Sequence, residues 1–161
     1  MTTIKEGDAL PAATLLKATD SGVEPVETAS LTGRVAIFGL PGAFTGTCTN
    51  QHLPSFMRNV DAFREKGVDR VICIAVNDPF VCAAWSDATG AAEAGVEILS
   101  DASGELTRAL GLDFDLPAYG LVGRCKRFAM LVRDGKVEAL NLEEKPGTCE
   151  LTAGENLLAR A

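Results

Sequence analysis

The sequence lacks any pair of cysteines separated by two residues. This absence argues against a zinc knuckle and against the dithiol motif of thioredoxin-type thiol–disulfide oxidoreductases. It has a single histidine, so His52 and Cys48 form the only spaced pair of potential metal ligands, and a metal site is the weakest interpretation. There are five cysteines, Cys48, Cys73, Cys82, Cys125 and Cys149, and we expect them to be free thiols in a reducing cytosol.

The chain also lacks an excess of positive charge. Lysine and arginine number 15 against 22 acidic residues, which gives a net charge of −7. A surface this acidic does not neutralise a phosphate backbone, so nucleic-acid binding is excluded, whereas a small substrate in one local basic pocket remains allowed.

Long apolar runs are missing as well. The longest segment without a charge, Val35–Met57, contains two prolines, three glycines and three threonines, so it is not a membrane span. The first ten residues carry Lys5, Glu6 and Asp8 and have no apolar core of a signal peptide. We therefore expect a cytoplasmic protein that does not contact membranes.

The chain has no internal repeat, low-complexity tract or linker, and its 161 residues suit one domain over residues 1–161. Short β-rich runs alternate with helical patterns. Arg34–Gly39 is typical of a buried strand, and Val71–Val76 of a second one with apolar residues on both faces. Between them, the apolar spacing from Asn50 to Lys66 predicts one helix, whose buried face comprises Leu53, Phe56, Met57, Val60 and Phe63.

The second half of the chain carries turn and cap signals. Asp78 and Pro79 predict the start of a helix over Phe80–Ala94. Asp134-Gly135 predicts a hairpin between strands Phe128–Arg133 and Lys136–Leu142. Thr152 and Glu155 have the spacing of a capping box that opens a last helix.

Two short elements complete the pattern, a strand over Val96–Leu99 and a helix over Glu105–Leu110. The element order predicts an α/β protein with a mixed central sheet and helices on both faces, as in a thioredoxin-like fold with additional segments.

The chemistry is expected in the loop after the strand Arg34–Gly39, because sites in open α/β sheets form beyond the carboxyl ends of strands. Cys48 falls at or just before the first turn of the next helix, where free amide groups and the helix dipole stabilise a thiolate. Thr45 is placed to bring a hydroxyl beside the sulfur, or to make a local turn bond instead. His52 lies four residues after Cys48 and is either its base or a structural residue.

The run Pro41-Gly-Ala-Phe-Thr45-Gly-Thr-Cys48 fits the pattern P-x-x-x-T-x-x-C, and here the sequence resembles the peroxiredoxin family. The wider run FGLPGAFTGTCTNQHLPSF is similar to the atypical, type II (peroxiredoxin-5-like) subfamily. So are VICIAVNDPFVCAAW at 71–85 and RCKRFAMLVRDGKVEALNLEE at 124–144. The resemblance extends from about Lys5 to the C-terminus.

The resemblance implies a role for each matching residue. Cys48 is the peroxidatic cysteine, Thr45 holds the peroxide oxygens, and Pro41 shields the sulfur. The catalytic arginine of the family opens the strand that leads into the hairpin, which favours Arg127, with Arg124 as the competitor. The implied activity is a thiol peroxidase that reduces hydrogen peroxide and small alkyl hydroperoxides through a cysteine sulfenic acid, without a bound cofactor, in antioxidant defence and redox homeostasis.

Elementary chemistry agrees with these roles. A thiol with a pKa of ~8.5 is about 3% ionised at pH 7, and a pKa of ~6 would make it about 90% ionised, a gain of roughly 30-fold. Since this gain is modest on the scale of enzymatic catalysis, the site must also stabilise charge on the leaving oxygen. Arg127, the Thr45 hydroxyl and the Cys48 amide are the expected donors.

The resemblance leaves the recycling of the sulfenic acid open. Cys149 lies roughly where some animal relatives place a resolving cysteine, but its surroundings are more similar to bacterial and plant relatives that lack that function there. Cys73 aligns with a cysteine of some type II relatives, and Cys125 would face the same side as Arg127 if that segment is extended. All three are candidates for the resolving cysteine. Cys82 is expected to serve packing. The default is a one-cysteine cycle with an external thiol, glutathione with a separate glutaredoxin, as in similar bacterial relatives, with thioredoxin as the alternative.

The family pattern also implies a homodimer packed through loops near the site. Candidate residues for this interface are Phe44, Phe80 and Phe114. Two other functions remain open. One is a peroxide-responsive redox sensor or adaptor without rapid turnover. The other is a thiol–disulfide oxidoreductase, against which the missing dithiol motif argues.

Overall fold

A seven-stranded mixed sheet forms the centre of the computed structural model, which describes residues 3–145 and 147–161. The strands are β1 (Thr14–Thr19), β2 (Gly22–Glu27), β3 (Arg34–Leu40), β4 (Arg70–Ala75), β5 (Val96–Ser100), β6 (Asp113–Leu116), β7 (Leu121–Cys125), β8 (Phe128–Arg133) and β9 (Lys136–Leu142). The helices are α1 (Leu53–Met57), α2 (Val60–Glu65), α3 (Pro79–Thr89), α4 (Ala91–Ala94), α5 (Glu105–Ala109) and α6 (Gly154–Leu158), and a π-helical turn covers Cys48–His52.

The order of the sheet is β2-β1-β5-β4-β3-β8-β9, and β6 pairs with β7 in a separate ribbon. Strands β3, β4 and β5 are parallel, and their neighbours on either side are antiparallel. The mixed sheet is therefore confirmed. The parallel strands β3 and β4 end at the same edge of the sheet, and the loops that follow them meet there.

Side-chain alternation along β3 divides the core into two layers. Ala36, Phe38 and Leu40 face the layer that contains α1, α2, α3 and α6, whereas Val35 and Ile37 face the layer that contains α5. Helices thus cover both faces, as predicted. Among the described residues, no helix has the length and apolar character that crossing a bilayer requires.

The predicted single helix over Asn50–Lys66 is wrong. The chain forms the π-helical turn and then α1 and α2, with an interruption at Arg58 and Asn59. The Asn59 side-chain amide donates to the Ser55 carbonyl at 2.7 Å, so the Asn59 backbone amide bonds Phe56 instead at 3.1 Å. This competition between side chain and main chain ends α1. The predicted apolar face is nevertheless the buried one.

The predicted helix over Phe80–Ala94 is also divided. Asp78 caps α3 as expected, since its carboxylate accepts a bond from the Val81 amide at 2.8 Å. Gly90 then adopts a φ of 76° and separates α3 from α4. A left-handed residue ends a helix, and glycine adopts that conformation without a Cβ penalty.

The predicted capping box is wrong. Helix α6 begins at Gly154. The Thr152 hydroxyl does not cap this helix, because it donates to the Glu143 carboxylate at 2.8 Å. Glu155 pairs with Arg58 at 2.8 Å. Both side chains thus bond residues distant in sequence instead of the helix N-terminus.

The hairpin between β8 and β9 is confirmed. Asp134 and Gly135 have φ angles of 48° and 81°, the pair of positive values that a tight hairpin turn requires. The predicted short elements at Val96–Leu99 and Glu105–Leu110 correspond to β5 and α5. The prediction missed β1, β2, β6 and β7 altogether.

Candidate active site

The loop over residues 41–45 follows β3 at the edge where β3 and β4 end. It is held from two sides: the Ala43 amide donates to Asn77 Oδ1 at 2.9 Å, and Arg124 Nη1 donates to the Pro41 carbonyl at 3.0 Å. Pro41 and Ala43 are buried. Two hydrogen bonds therefore hold the loop that precedes Cys48.

Cys48 lies in the first turn of the helical segment. Gly46 and Thr47 are already helical, and the Thr49 amide donates to the Thr45 carbonyl at 3.0 Å. Cys48 is only 1% exposed. Cys48 is thus placed in the first turn of a helical segment, as the sequence predicted.

Arg127 is the arginine that contacts the sulfur. Its Nη2 donates to Cys48 Sγ at 3.3 Å, and the residue is 2% exposed. Arg124 instead holds the loop through Pro41. Arg127, rather than Arg124, is therefore the arginine placed beside the sulfur.

His52 serves Arg127 rather than Cys48. Its Nδ1 accepts a bond from Arg127 Nη1 at 3.0 Å, because a guanidinium only donates. Its Nε2 therefore carries the proton and donates to the Thr152 carbonyl at 3.0 Å. Burial, and then the charge of Arg127, hold the pKa of His52 well below its ordinary value. The ring is neutral with both nitrogens occupied, which argues against the base role.

The Thr45 hydroxyl donates to the Gly42 carbonyl at 2.7 Å, which is the local turn bond that the sequence left open as the alternative. Because its proton is used, the oxygen faces other partners as an acceptor. Thr45 lines a pocket of about 310 Å³ together with Pro41, Leu116, Tyr119 and Arg127. Thr45 and Arg127 therefore line one cavity.

Three of the other cysteines are buried in the core, and Cys149 is half-buried. Burial raises the pKa of Cys73 well above its ordinary value and raises those of Cys82 and Cys125 to about 12. Burial also raises the pKa of Cys149, whose sulfur lies 3.9 Å from the Thr152 hydroxyl oxygen. All five thiols are free.

The expectation that Cys125 faces the same side as Arg127 is wrong. Strand β7 ends at Cys125, which packs in the core layer of Phe128 and Leu112, whereas Cys48 belongs to the other layer. The chain leaves the β6–β7 ribbon at this point, so the alternation of an extended strand does not continue to Arg127.

Sequence analysis missed three residues that shape the site: Asn77, Thr152 and Glu143. Asn77 carries a usable signal, since it follows β4 at the edge where sites form. Thr152 contacts His52 through its backbone carbonyl, and Glu143 contacts a turn that is distant in sequence. No local sequence pattern therefore predicts either role. In residues 3–145 and 147–161, no three His, Cys, Asp or Glu side chains converge on a metal position.

Comparisons with known proteins agree with this geometry. A model of the Redoxin family matches residues 5–158. The chain is 46% identical over 127 residues to mitochondrial Peroxiredoxin-2F of Arabidopsis thaliana, covering 79% of this chain and 63% of that protein. It is 45% identical over 163 residues to chloroplastic Peroxiredoxin-2E-2 of Oryza sativa subsp. japonica, covering 98% and 72%.

Among solved structures, reduced Prx3 of Vibrio vulnificus in complex with H2O2 superposes with a TM-score of 0.89 and 37% identity, over 98% of each chain. The chain thus spans less than two thirds of the mitochondrial Arabidopsis relative and nearly all of the bacterial structure. The sheet, the helical layers and these similarities establish the thioredoxin-like fold, and the chain belongs to the peroxiredoxin family.

Proposed function

We propose that the protein is a thiol peroxidase that reduces hydrogen peroxide and small alkyl hydroperoxides, with Cys48 as the peroxidatic nucleophile. The observation that carries the proposal is the 3.3 Å contact between Arg127 Nη2 and Cys48 Sγ at the start of a helix. The H2O2 complex of the similar Vibrio vulnificus Prx3 supports the substrate class.

In the proposed reaction, the Cys48 thiolate attacks one oxygen of the peroxide. An S–O bond forms while the O–O bond breaks, the sulfur is oxidised to a sulfenic acid, and the other oxygen leaves as water or an alcohol after protonation. Arg127 stabilises the thiolate and then the charge that develops on the leaving oxygen. Thr45 accepts a bond from the peroxide proton, and Pro41 covers the sulfur from solvent.

The pocket that Thr45 and Arg127 line supports small hydroperoxides as the substrate class. Its volume of about 310 Å³ and its apolar wall at Leu116 and Tyr119 accommodate a short alkyl group. The buried position of Cys48 means that only a small oxidant reaches the sulfur without rearrangement.

The direct test is stopped-flow oxidation of the reduced protein by hydrogen peroxide. Trp85 is a suitable probe, because it is the single tryptophan, is buried, and donates to Thr49 Oγ1 at 3.1 Å beside Cys48. We expect a fast fluorescence change that is absent in Cys48→Ser. A rate close to that of free cysteine would favour the sensor or adaptor role instead.

We further propose that glutathione with glutaredoxin recycles the sulfenic acid, with thioredoxin as the alternative. Burial of Cys73 and Cys125 supports an external reductant, since a buried thiol with a raised pKa is a poor attacking group. Steady-state peroxide consumption with each reductant system in turn identifies the one that this protein uses.

A homodimer and a reducing compartment such as the cytoplasm complete the proposal. Phe44 and Phe80 are 56% and 67% exposed, whereas Phe114 is half-buried, and apolar side chains exposed beside a site favour a protein interface. Sedimentation of the wild type and of a Phe44→Glu variant tests the dimer.

The free thiols support a reducing compartment. Fluorescence microscopy of the tagged protein tests whether that compartment is the cytoplasm.

A further inference from the structure

The carboxylate of Glu143, just beyond β9, is joined to the site by a closed series of hydrogen bonds. We propose that Glu143 is a positioning residue for the peroxidase reaction, which orients Arg127 through Thr152 and His52. The inference rests on the proposed roles of Cys48 and Arg127.

The first step is the turn that Glu143 holds. Its Oε2 accepts bonds from the Thr152 hydroxyl at 2.8 Å, the Thr152 amide at 3.1 Å and the Glu150 amide at 3.1 Å. Its Oε1 accepts a bond from the Leu151 amide at 3.4 Å. Burial raises the pKa of Glu143, but these donors outweigh it and the pKa is lowered overall, so the group is a carboxylate at neutral pH.

The second step runs from this turn to the sulfur. The Thr152 carbonyl accepts the His52 Nε2 proton at 3.0 Å, which fixes the tautomer in which Nδ1 is an acceptor. Arg127 Nη1 donates to that nitrogen at 3.0 Å, and its Nη2 then lies 3.3 Å from Cys48 Sγ. The orientation of the guanidinium therefore depends on where the Thr152 carbonyl is held.

The third step closes the series. The Glu143 backbone amide donates to the Arg127 carbonyl at 3.1 Å. Glu143 thus holds Arg127 at its main chain directly and at its guanidinium through two intermediates. A displacement of Glu143 is expected to alter both.

The chemical benefit of this arrangement follows from charge. A carboxylate bonded directly to Arg127 would neutralise the guanidinium and compete with the thiolate for it. The neutral imidazole of His52 orients the guanidinium without compensating its charge. Glu143 therefore acts on the guanidinium from a distance, through the neutral ring of His52.

The test uses Glu143→Gln with Glu144→Gln as the matched control, since Glu144 is the exposed neighbour. Stopped-flow measures the rate of Cys48 oxidation by hydrogen peroxide, and alkylation by iodoacetamide measures thiolate reactivity without a peroxide leaving group. We expect Glu143→Gln to slow peroxide oxidation about 10-fold and alkylation less, and Glu144→Gln to change both less than about twofold. Loss of stability with both rates unchanged would show a merely structural role and overturn the proposal.

A second variant guards against misfolding of the first. Thr152→Val removes the hydroxyl bond to Glu143 without changing charge, and we expect it to slow peroxide oxidation more than alkylation as well. In an Arg127→Lys background, Glu143→Gln is expected to add less than about twofold, because the orientation it provides is already lost. Additive effects would contradict the proposed series. A slow wild type would instead contradict the proposed function itself.

Discussion

Cys48 and Cys73 are buried cysteines of the same core layer, yet their surroundings differ in every other respect. Cys48 has the guanidinium of Arg127 at 3.3 Å and starts a helix. Cys73 lies in the middle of β4, and the contact described for its sulfur is a weak one to the Ile74 carbonyl at 4.0 Å. Burial raises the pKa of Cys73 well above its ordinary value. The two thiols are almost equally buried, and what distinguishes them is the guanidinium and the helical turn beside Cys48.

The largest expected effect is the difference in peroxide consumption between variants that lack the Cys48 thiol and variants that lack the Cys73 thiol. Cys48→Ala is expected to reduce peroxide consumption to the uncatalysed background, because Cys48 is the thiol that Arg127 Nη2 contacts at 3.3 Å. Cys73→Ala is expected to leave the rate within about twofold and to lower the free energy of unfolding by about 1 kcal/mol through a small cavity. Peroxide consumption and urea unfolding of both variants check this. Retained activity in Cys48→Ala would transfer the nucleophile's role to another cysteine.

The next largest effect concerns the cation. Arg127→Lys keeps the charge but loses the planar fork that reaches both His52 and Cys48, so we expect peroxide oxidation to slow by about 100-fold. Stopped-flow kinetics measure the change. Arg124→Lys, which affects only the loop bond to Pro41, is the comparison and is expected to have a smaller effect. Equal losses in the two variants would argue that the arginines act through the loop rather than at the sulfur.

A smaller effect is expected in the pH dependence of stability, and it comes from His52. The pKa of His52 is lowered in the folded state, so below pH 6.5 the unfolded chain binds a proton that the native state excludes. The free energy of unfolding therefore falls as pH decreases, by up to about 1.4 kcal/mol per pH unit. Glu143 and Glu155, whose pKa values are lowered from 4.5, contribute only at lower pH.

Urea unfolding between pH 7 and pH 5 measures this slope. His52→Asn keeps an acceptor near the position of Nδ1 and does not titrate, so the slope is expected to disappear. An unchanged slope in His52→Asn would assign it to another group.

The smallest effect is expected at Cys149. Burial raises the pKa of this half-buried thiol, so it is a poor attacking group. Turnover of Cys149→Ser with glutathione and glutaredoxin is therefore expected to stay within about twofold of the wild type. A large loss, with sulfenic acid accumulating on Cys48, would identify Cys149 as the resolving cysteine.

Local patterns predicted the parts of the fold that local physics determines. The uninterrupted apolar residues of β3 and β4, the Asp134-Gly135 turn and the Asp78 cap each carry their information within a few residues. Strand β2 does not: GVEPVE is largely exposed and contains Pro25, which an edge strand tolerates but which argues against a strand in the sequence. Its pairing with β1 is a tertiary effect.

The site, like the fold, has features that local sequence predicts and features that depend on tertiary contacts. The position of Cys48 after a buried strand predicts its place at the sheet edge and at a helix start. The bond between His52 and Thr152 joins residues 100 positions apart and involves a backbone carbonyl, so no spacing or residue type announces it. Thr152 and Glu155 had a capping-box spacing, but tertiary partners took both side chains.

The most direct test lets the two buried thiols compete within one molecule. The reduced protein is treated with one equivalent of hydrogen peroxide, the product is trapped with a sulfenic-acid reagent, and peptide mass spectrometry locates it. The account predicts that the trapped oxygen lies on Cys48, with Cys73 unmodified. An equal distribution between Cys48 and Cys73, or label on Cys73 alone, would contradict it.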